Sequence, residues 1–379
     1  MTPPQPPQDG NDWRAPDQRY GPPPAPAPAW QFPTHQAGAP WQSHPGWQRP
    51  STGPLEPPAG SEYHRLARNA AHRWWRPVAA TGLLLALALP AMAVVVGGGY
   101  GLGHLLGLKP GKGDHFFAHP VPELTISLGL LAVLIPVTLL AARLAQRRRP
   151  GTLSSVVGRL RWRWLLACLG ATVVAETVKY PLLILLDSGE EVDPLKWVGW
   201  PAFALAMVVI LALVPFQAAA EEYVFRGWIP QAFGCWLRTP WVGVAVGGVL
   251  FALAHGLGTW WGFVDLLLFS AVASWLTQRT GGLESAIANH AANNLTAFSL
   301  AAAFGELASD ETAADGPWQL PVVDVLSLGV YAWLVLLLAR RLRPARVSGG
   351  SDQPAGAVEP AGPGYALGAN GARDSEGYE

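Results

Sequence analysis

Cysteine is almost missing from this chain. Its 379 residues include two, Cys168 and Cys235, both within predicted helices. Neither a disulfide framework nor a cysteine-based metal site follows from them. Net charge is missing as well: 26 basic and 26 acidic residues cancel, so no basic excess points to nucleic acid. Two hydrolase signatures are absent, the HExxH of zinc proteases and the GxSxG elbow of serine hydrolases. Between residues 65 and 343 there is little polar sequence of any length, which excludes a soluble helical protein whose helices alternate polar and apolar faces.

What the middle does contain is eight apolar runs, at roughly 77–98, 123–143, 164–186, 198–220, 240–257, 262–279, 284–304 and 320–339. About 20 apolar residues are needed to cross a bilayer as a helix. The expected fold is therefore all-α: a polytopic membrane bundle of about eight transmembrane helices over residues 65–343. The Pro-, Gln- and Gly-rich residues 1–64 and the Gly-, Ala- and acid-rich residues 344–379 lack the apolar content to offset the entropy of ordering, and are expected to be disordered tails. Tail tryptophans such as Trp30, Trp41 and Trp47 read as linker content. "GLLLALALPAMA" resembles a signal peptide with a cleavage site near Ala93, but its leader is far too long, so it is expected to be an uncleaved first span.

Charge asymmetry gives the orientation. Taking the N-terminus as cytoplasmic, the inner segments carry Arg65, Arg68, Arg73 and Arg76, then Arg147 to Arg149 and Arg159 to Arg163, then Arg238, Arg279 and Arg340 to Arg346. The outer loops carry Lys109, Lys112, Lys196 and the acidic stretches at 187–193 and 306–315. Arginine-rich loops mark the cytoplasmic face, and eight spans put both termini there, in a plasma membrane. Arginine dominating lysine, with abundant Ala, Gly and Pro, suggests a GC-rich bacterial genome.

Ionisable residues inside spans are costly and carry a functional hypothesis. Some have a structural reading. Glu176 and Lys179, three apart, are expected to pair with each other. Asp265 and Asp324 lie near helix starts and read as interfacial, and the glycines before His104 read as helix-packing positions. The rest fall in three places: "AAAEEYVFRGWIP" with Glu221, Glu222 and Arg226; "FALAH" with His255; and "NHAANN" with His290, Asn293 and Asn294. Glu222 and Arg226, four apart, form an acid–base pair on one helix face, while Glu221 points about 100° away and stays free. His290 and Asn294 share a face. Residues 221 and 255 are each 17 positions from residue 238 in the intervening turn, roughly 25 Å along an antiparallel helix pair. His290, about nine residues into its helix, can join them at roughly 13 Å from its own turn. Pro215 is expected to kink the fourth run. The site would then lie in the inner half of the membrane, facing a cavity open to the cytoplasm.

Such a set suits water-mediated amide hydrolysis: a carboxylate with a histidine as base, and a His/Asn pair donating to an oxyanion. A Glu/His/His set plus water also suits zinc. "EEYVFRG", "FALAH" and "HAANN", in this order, resemble the Glu-Glu-x-x-x-Arg, Phe-x-x-x-His and His-x-x-x-Asn motifs of the CPBP family of intramembrane proteases, which includes type II CAAX prenyl endopeptidases and bacteriocin-processing or immunity proteins. The resemblance covers roughly residues 200–304. It implies a metal-independent glutamic endopeptidase without cofactors, in which Glu221 activates water with His255, His290 and Asn294 stabilise the oxyanion, and Glu222 and Arg226 support the site. The partners expected are the bilayer and a membrane-associated peptide or protein substrate, and no nucleic acid. A non-catalytic scaffold or immunity-type protein keeping the same polar network is the alternative. A proton-relaying transporter would show inverted repeats, and no internal symmetry of that kind is seen.

Overall fold

A computed structural model describes residues 54–112, 115–186, 196–309 and 311–349. Among them the regular structure is helical, with isolated β-bridges and no strand. The helices are α1 (Arg76–Leu105), α2 (Pro120–Ala132), α3 (Leu134–Leu144), α4 (Trp162–Leu186), α5 (Trp200–Glu222), α6 (Ile229–Gly234), α7 (Trp241–Ala254), α8 (Trp260–Thr280), α9 (Glu284–Phe304) and α10 (Gln319–Leu342). The chain is a multi-pass membrane protein. Every one of the eight apolar runs forms helix, yet among the described residues six helical stretches, not eight, are long and apolar enough to cross a membrane: α1, α2–α3, α4, α5–α6, α8 and α10. The difference has two causes. The α7 helix is apolar but has 14 residues. The α9 helix has 21, but its buried face carries Glu284, Ser285, Asn289 and His290.

That polarity suits where α9 sits. It packs against α4, α5 and α8, so its polar groups meet protein, not lipid. Its first turn is pinned by a bidentate pair from Arg161 to Glu284 (2.8 and 2.6 Å) and by the Tyr331 hydroxyl donating to the Ser285 carbonyl (2.6 Å). Both ends of its hairpins are shaped by glycine: Gly281 after α8 and Gly305 after α9 have φ of 72° and 82°, the left-handed conformation that closes a helix. Lipid-facing leucine, valine and isoleucine cover the outside, for example Leu89, Val94 and Ile184.

Prolines mark the irregularities. Pro136 has no N–H to offer residue 132, and the helix is interrupted at Val133. Pro215 lies inside α5, which continues through it to Glu222. Two of the glycines before His104 serve close packing, since a Cβ on Gly99 would come 2.6 Å from Ile126 of α2 and one on Gly103 would run into the Phe117 ring, whereas Gly97, Gly98 and Gly101 face open space.

The arginine-bearing segments converge at one end of the bundle. Arg65 donates to the Leu237 carbonyl (2.8 Å), and Arg161 donates to Thr280 and Ala345 (3.0 and 2.8 Å). The ends of the membrane domain differ from the expected boundaries at 64 and 344. Leu55 pairs with Arg147, Gly60 with Ser348, and Ser348 in turn with Ser61. Tyr63, 1% exposed, donates from its hydroxyl to the Leu153 carbonyl (2.5 Å). Composition missed these residues because a few well-placed groups, Tyr63, His64 and Leu66, anchor an otherwise polar stretch. The remaining parts of the expected tails, residues 1–53 and 350–379, lie outside the described residues.

Candidate active site

The site begins where α5 stops being an α-helix. After Glu222 the helix widens into a π-helical turn, Tyr223–Trp228, and then resumes as α6. Pro230 explains the widening: it lacks the N–H that would bond the Arg226 carbonyl one α-turn back. The α7 helix closes on this turn through small residues. A Cβ on Gly247 would stand 2.5 Å from the Phe225 carbonyl oxygen, and one on Gly243 2.8 Å from Pro230 Cα. Glycine at these positions brings α7, and His255 at its end, against the acidic turn.

Arg226 and Glu222 are both 0% exposed and pair as their spacing predicts, Nη1 donating to Oε1 at 3.0 Å. The guanidinium lies over Phe251 of α7 at 3.9 Å and near Phe269 of α8 at 5.2 Å, so aromatic faces take over part of the solvation that water would give. Glu222 Oε1 also accepts from His290 Nδ1 at 2.7 Å. His290 is packed edge-on to Phe251 and Phe269. Glu222 thus has two partners: it neutralises Arg226 and it orients His290.

Glu221, 6% exposed, is treated differently. Its Oε1 accepts from Gln217 Nε2 at 2.6 Å. Its Oε2 is buried, takes no protein hydrogen bond, and lies 3.8 Å from His290 Nε2. One carboxylate oxygen is fixed and the other is buried without a protein hydrogen bond. Asn294 Nδ2 donates to Gln217 Oε1 at 3.1 Å, which ties Asn294 to Glu221 through Gln217.

His255 is the C-cap of α7. Its Nδ1 donates to the Phe251 carbonyl at 2.9 Å, and the Thr312 hydroxyl donates to its own carbonyl at 2.8 Å. No hydrogen bond joins it to Glu221 among the described residues. Both histidines are held the same way, with Nδ1 of His255 on a carbonyl and Nδ1 of His290 on a carboxylate, which leaves Nε2 of each ring without a protein hydrogen bond among the described residues. His255, His290 and Asn294 line one cavity of about 240 Å³. The three sequence motifs are therefore brought together.

The surroundings correct four expectations. Lys179 does not pair with Glu176. Its ammonium bonds Asp324 of α10 and Asn293 of α9, each at 3.0 Å. Asp265 and Asp324 are not interfacial; both are buried and line the same cavity as the histidines. The cavities also open the other way. The 240 Å³ cavity is walled by Ala313 and Leu320, and a second, of about 750 Å³, runs from Lys112, His115 and Glu311 down to Gln217. Both face the end opposite the arginines. Gln217 had a readable signal, its four-residue spacing from Glu221, whereas the partners of Lys179 had none. Among the described residues no three His, Cys, Asp or Glu side chains converge as metal ligands.

Residues 201–296 match the family model described as type II CAAX prenyl endopeptidase Rce1-like. That segment runs from α5 into α9 and contains Glu221, Glu222, Arg226, His255, His290 and Asn294, so the resemblance carried by the motifs holds there as a family match. The chain is 29% identical over 188 residues to the uncharacterized protein YyaK of Bacillus subtilis (strain 168). The match covers 46% of this chain and 60% of YyaK, less than two thirds of that relative's length. No solved structure matches the chain significantly.

Proposed function

We propose that this chain is an intramembrane endopeptidase that hydrolyses a peptide bond of a membrane-associated protein or peptide. The observation that carries the reading is the division of labour on Glu221: Oε1 is fixed by Gln217 while Oε2 is buried and takes no protein hydrogen bond, with His290 Nε2 3.8 Å away. Oε2 is the atom that takes a proton from water as the water attacks the carbonyl carbon. His255, with Nε2 as an acceptor at the edge of the cavity, shares that proton and delivers it to the leaving amine. Asn294 has a second amide proton to give to the oxyanion. His290 donates there only as the doubly protonated ring, with Nδ1–H on Glu222.

The 750 Å³ cavity offers the approach. Its wall of Leu124, Leu128, Leu131 and Phe298 suits an apolar segment, and it ends at Gln217 beside the carboxylate. With the arginine-rich end cytoplasmic by the positive-inside rule, both termini lie in the cytoplasm of a bacterial cell, the protein sits in the plasma membrane, and substrate enters from the other face.

The test is cleavage of membrane-anchored peptides by the purified protein in detergent, set against Glu221→Gln. Loss of a general base costs about 10²–10⁴-fold in rate. A Glu221→Gln variant that cleaves as fast as the parent would sink the assignment.

A further inference from the structure

Four hydrogen bonds join Lys179 to Glu221 across three helices, and they all run in one direction. Lys179 Nζ of α4 donates to Asn293 Oδ1 of α9 (3.0 Å). Asn293 Nδ2 donates to Asn294 Oδ1 (3.4 Å), the longest link. Asn294 Nδ2 donates to Gln217 Oε1 of α5 (3.1 Å), and Gln217 Nε2 donates to Glu221 Oε1 (2.6 Å). Behind the lysine, Asp324 of α10 holds the ammonium at 3.0 Å and is itself bonded by the Ser327 hydroxyl (3.1 Å).

We propose that Lys179 is a positioning residue for Glu221, setting the sense of this chain through Asn293, Asn294 and Gln217. The inference rests on the reading of Glu221 as the base. An ammonium has only donors and an ionised carboxylate only acceptors. Three primary amides between such ends have one orientation in which every contact is donor to acceptor. Turning any one of them sets oxygen against oxygen or N–H against N–H. The amide orientations, ordinarily a matter of assignment, are here dictated by the two charged ends. Aligned from cation to anion, the amide dipoles also reinforce one another.

The lysine matters most when the other end changes. Once Glu221 has taken a proton from water, it becomes a donor as well as an acceptor and no longer compels Gln217 to present its amide N–H. The ammonium remains a donor throughout, so the chain does not reverse in mid-reaction. The Asn294 amide then keeps the orientation in which its second proton faces the cavity that His255 and His290 also line.

The chain contains six asparagines, which makes the proposal testable without substrate. In protein labelled with ¹⁵N-asparagine, the side-chain NH₂ signals of Asn293 and Asn294 are assigned by substitution to alanine. Lys179→Met should move both pairs, including Asn294, which Lys179 does not touch. The Asn69 signal, at the arginine-rich end, should stay. Lys179→Arg should keep the parent pattern. Because Lys179→Met leaves Asp324 buried and unpaired, Lys179→Met/Asp324→Leu serves as the folded control: it should regain thermal stability while the Asn294 pair stays displaced. Where a cleaved peptide is in hand, the same double variant should lose roughly 10²-fold in kcat, the scale of a misplaced reacting group, with KM within about twofold, and Lys179→Arg should recover most of it. An Asn294 pair unmoved by Lys179→Met, or moved only as far as the fold is disturbed and restored in the double variant, overturns the proposal. Because the NMR readout needs no turnover, it tells failure of the hydrogen-bond chain apart from failure of the proposed protease reading, which the cleavage assay decides.

Discussion

Replacing Arg226 by leucine should be among the most damaging single changes in this protein, and replacing its partner as well should repair part of the damage. The guanidinium is fully buried, 3.0 Å from an equally buried Glu222, and stacked on Phe251 at 3.9 Å. Without it, Glu222 keeps one donor, His290 Nδ1–H. Removing one partner of a buried ion pair costs about 3–5 kcal/mol, because the other charge stays behind unpaired. For a domain of roughly this size each kcal/mol lowers the thermal midpoint by about 2–4 °C, so the fall should be about 6–20 °C. Arg226→Leu/Glu222→Leu removes both charges and frees His290 of its carboxylate, a lesser loss of about 1–3 kcal/mol. The double variant should therefore unfold at a higher temperature than Arg226→Leu alone. Intrinsic fluorescence of the 18 tryptophans during heating in detergent reads the order directly. A single variant within about 2 °C of the parent, or a double variant less stable than the single, would refute the buried-pair reasoning. Arg226→Lys should fall between parent and Arg226→Leu, since an ammonium keeps the charge but not the planar stack on Phe251.

Gly247→Val should cost about 1–3 kcal/mol, since the new Cβ meets the backbone carbonyl of Phe225. Gly170→Ala, whose Cβ meets nothing within 4 Å on α4, should be neutral to slightly stabilising in the same melts; equal effects would contradict the close approach of α7. Leu66→Ala, in the fully buried core at the arginine-rich end, should cost about 2–5 kcal/mol, and a negligible shift would mean that this segment is not part of the folded domain. Peptide cleavage should persist in a chelator, as a glutamate-activated water requires; strong inhibition that zinc reverses would point to a metal-bound water instead.

Much of the site was legible because its residues declare themselves through local rules. Buried charges are costly anywhere in a span, so Glu221, Glu222, Arg226, His255 and His290 stood out against an apolar background. The four-residue spacing of Glu222 and Arg226 predicted their pair, and the structure has it. Counting equal distances from the turn put Glu221 and His255 level, and both now border the same cluster around Phe251 and His290. The direction of the cavities was not legible, since it depends on which helix ends splay apart and which close, and that is a property of the whole bundle.

What the amino-acid sequence determined alone was whatever depends on neighbours within a turn or two of helix: eight apolar helical runs, arginines gathered at alternate loops, a neutralised Glu222 and a Glu221 left over. What only the tertiary structure decided was whatever depends on partners far along the chain. Spacing assigned Lys179 to Glu176, three residues away, but its ammonium found Asp324, 145 residues on. The seventh run, α9, is polar on its buried face because α4, α5 and α8 surround it and supply the partners that lipid would not. A buried charge takes the partner whose geometry satisfies most of its hydrogen bonds, and in a bundle that partner is chosen by how helices pack, not by how residues are spaced.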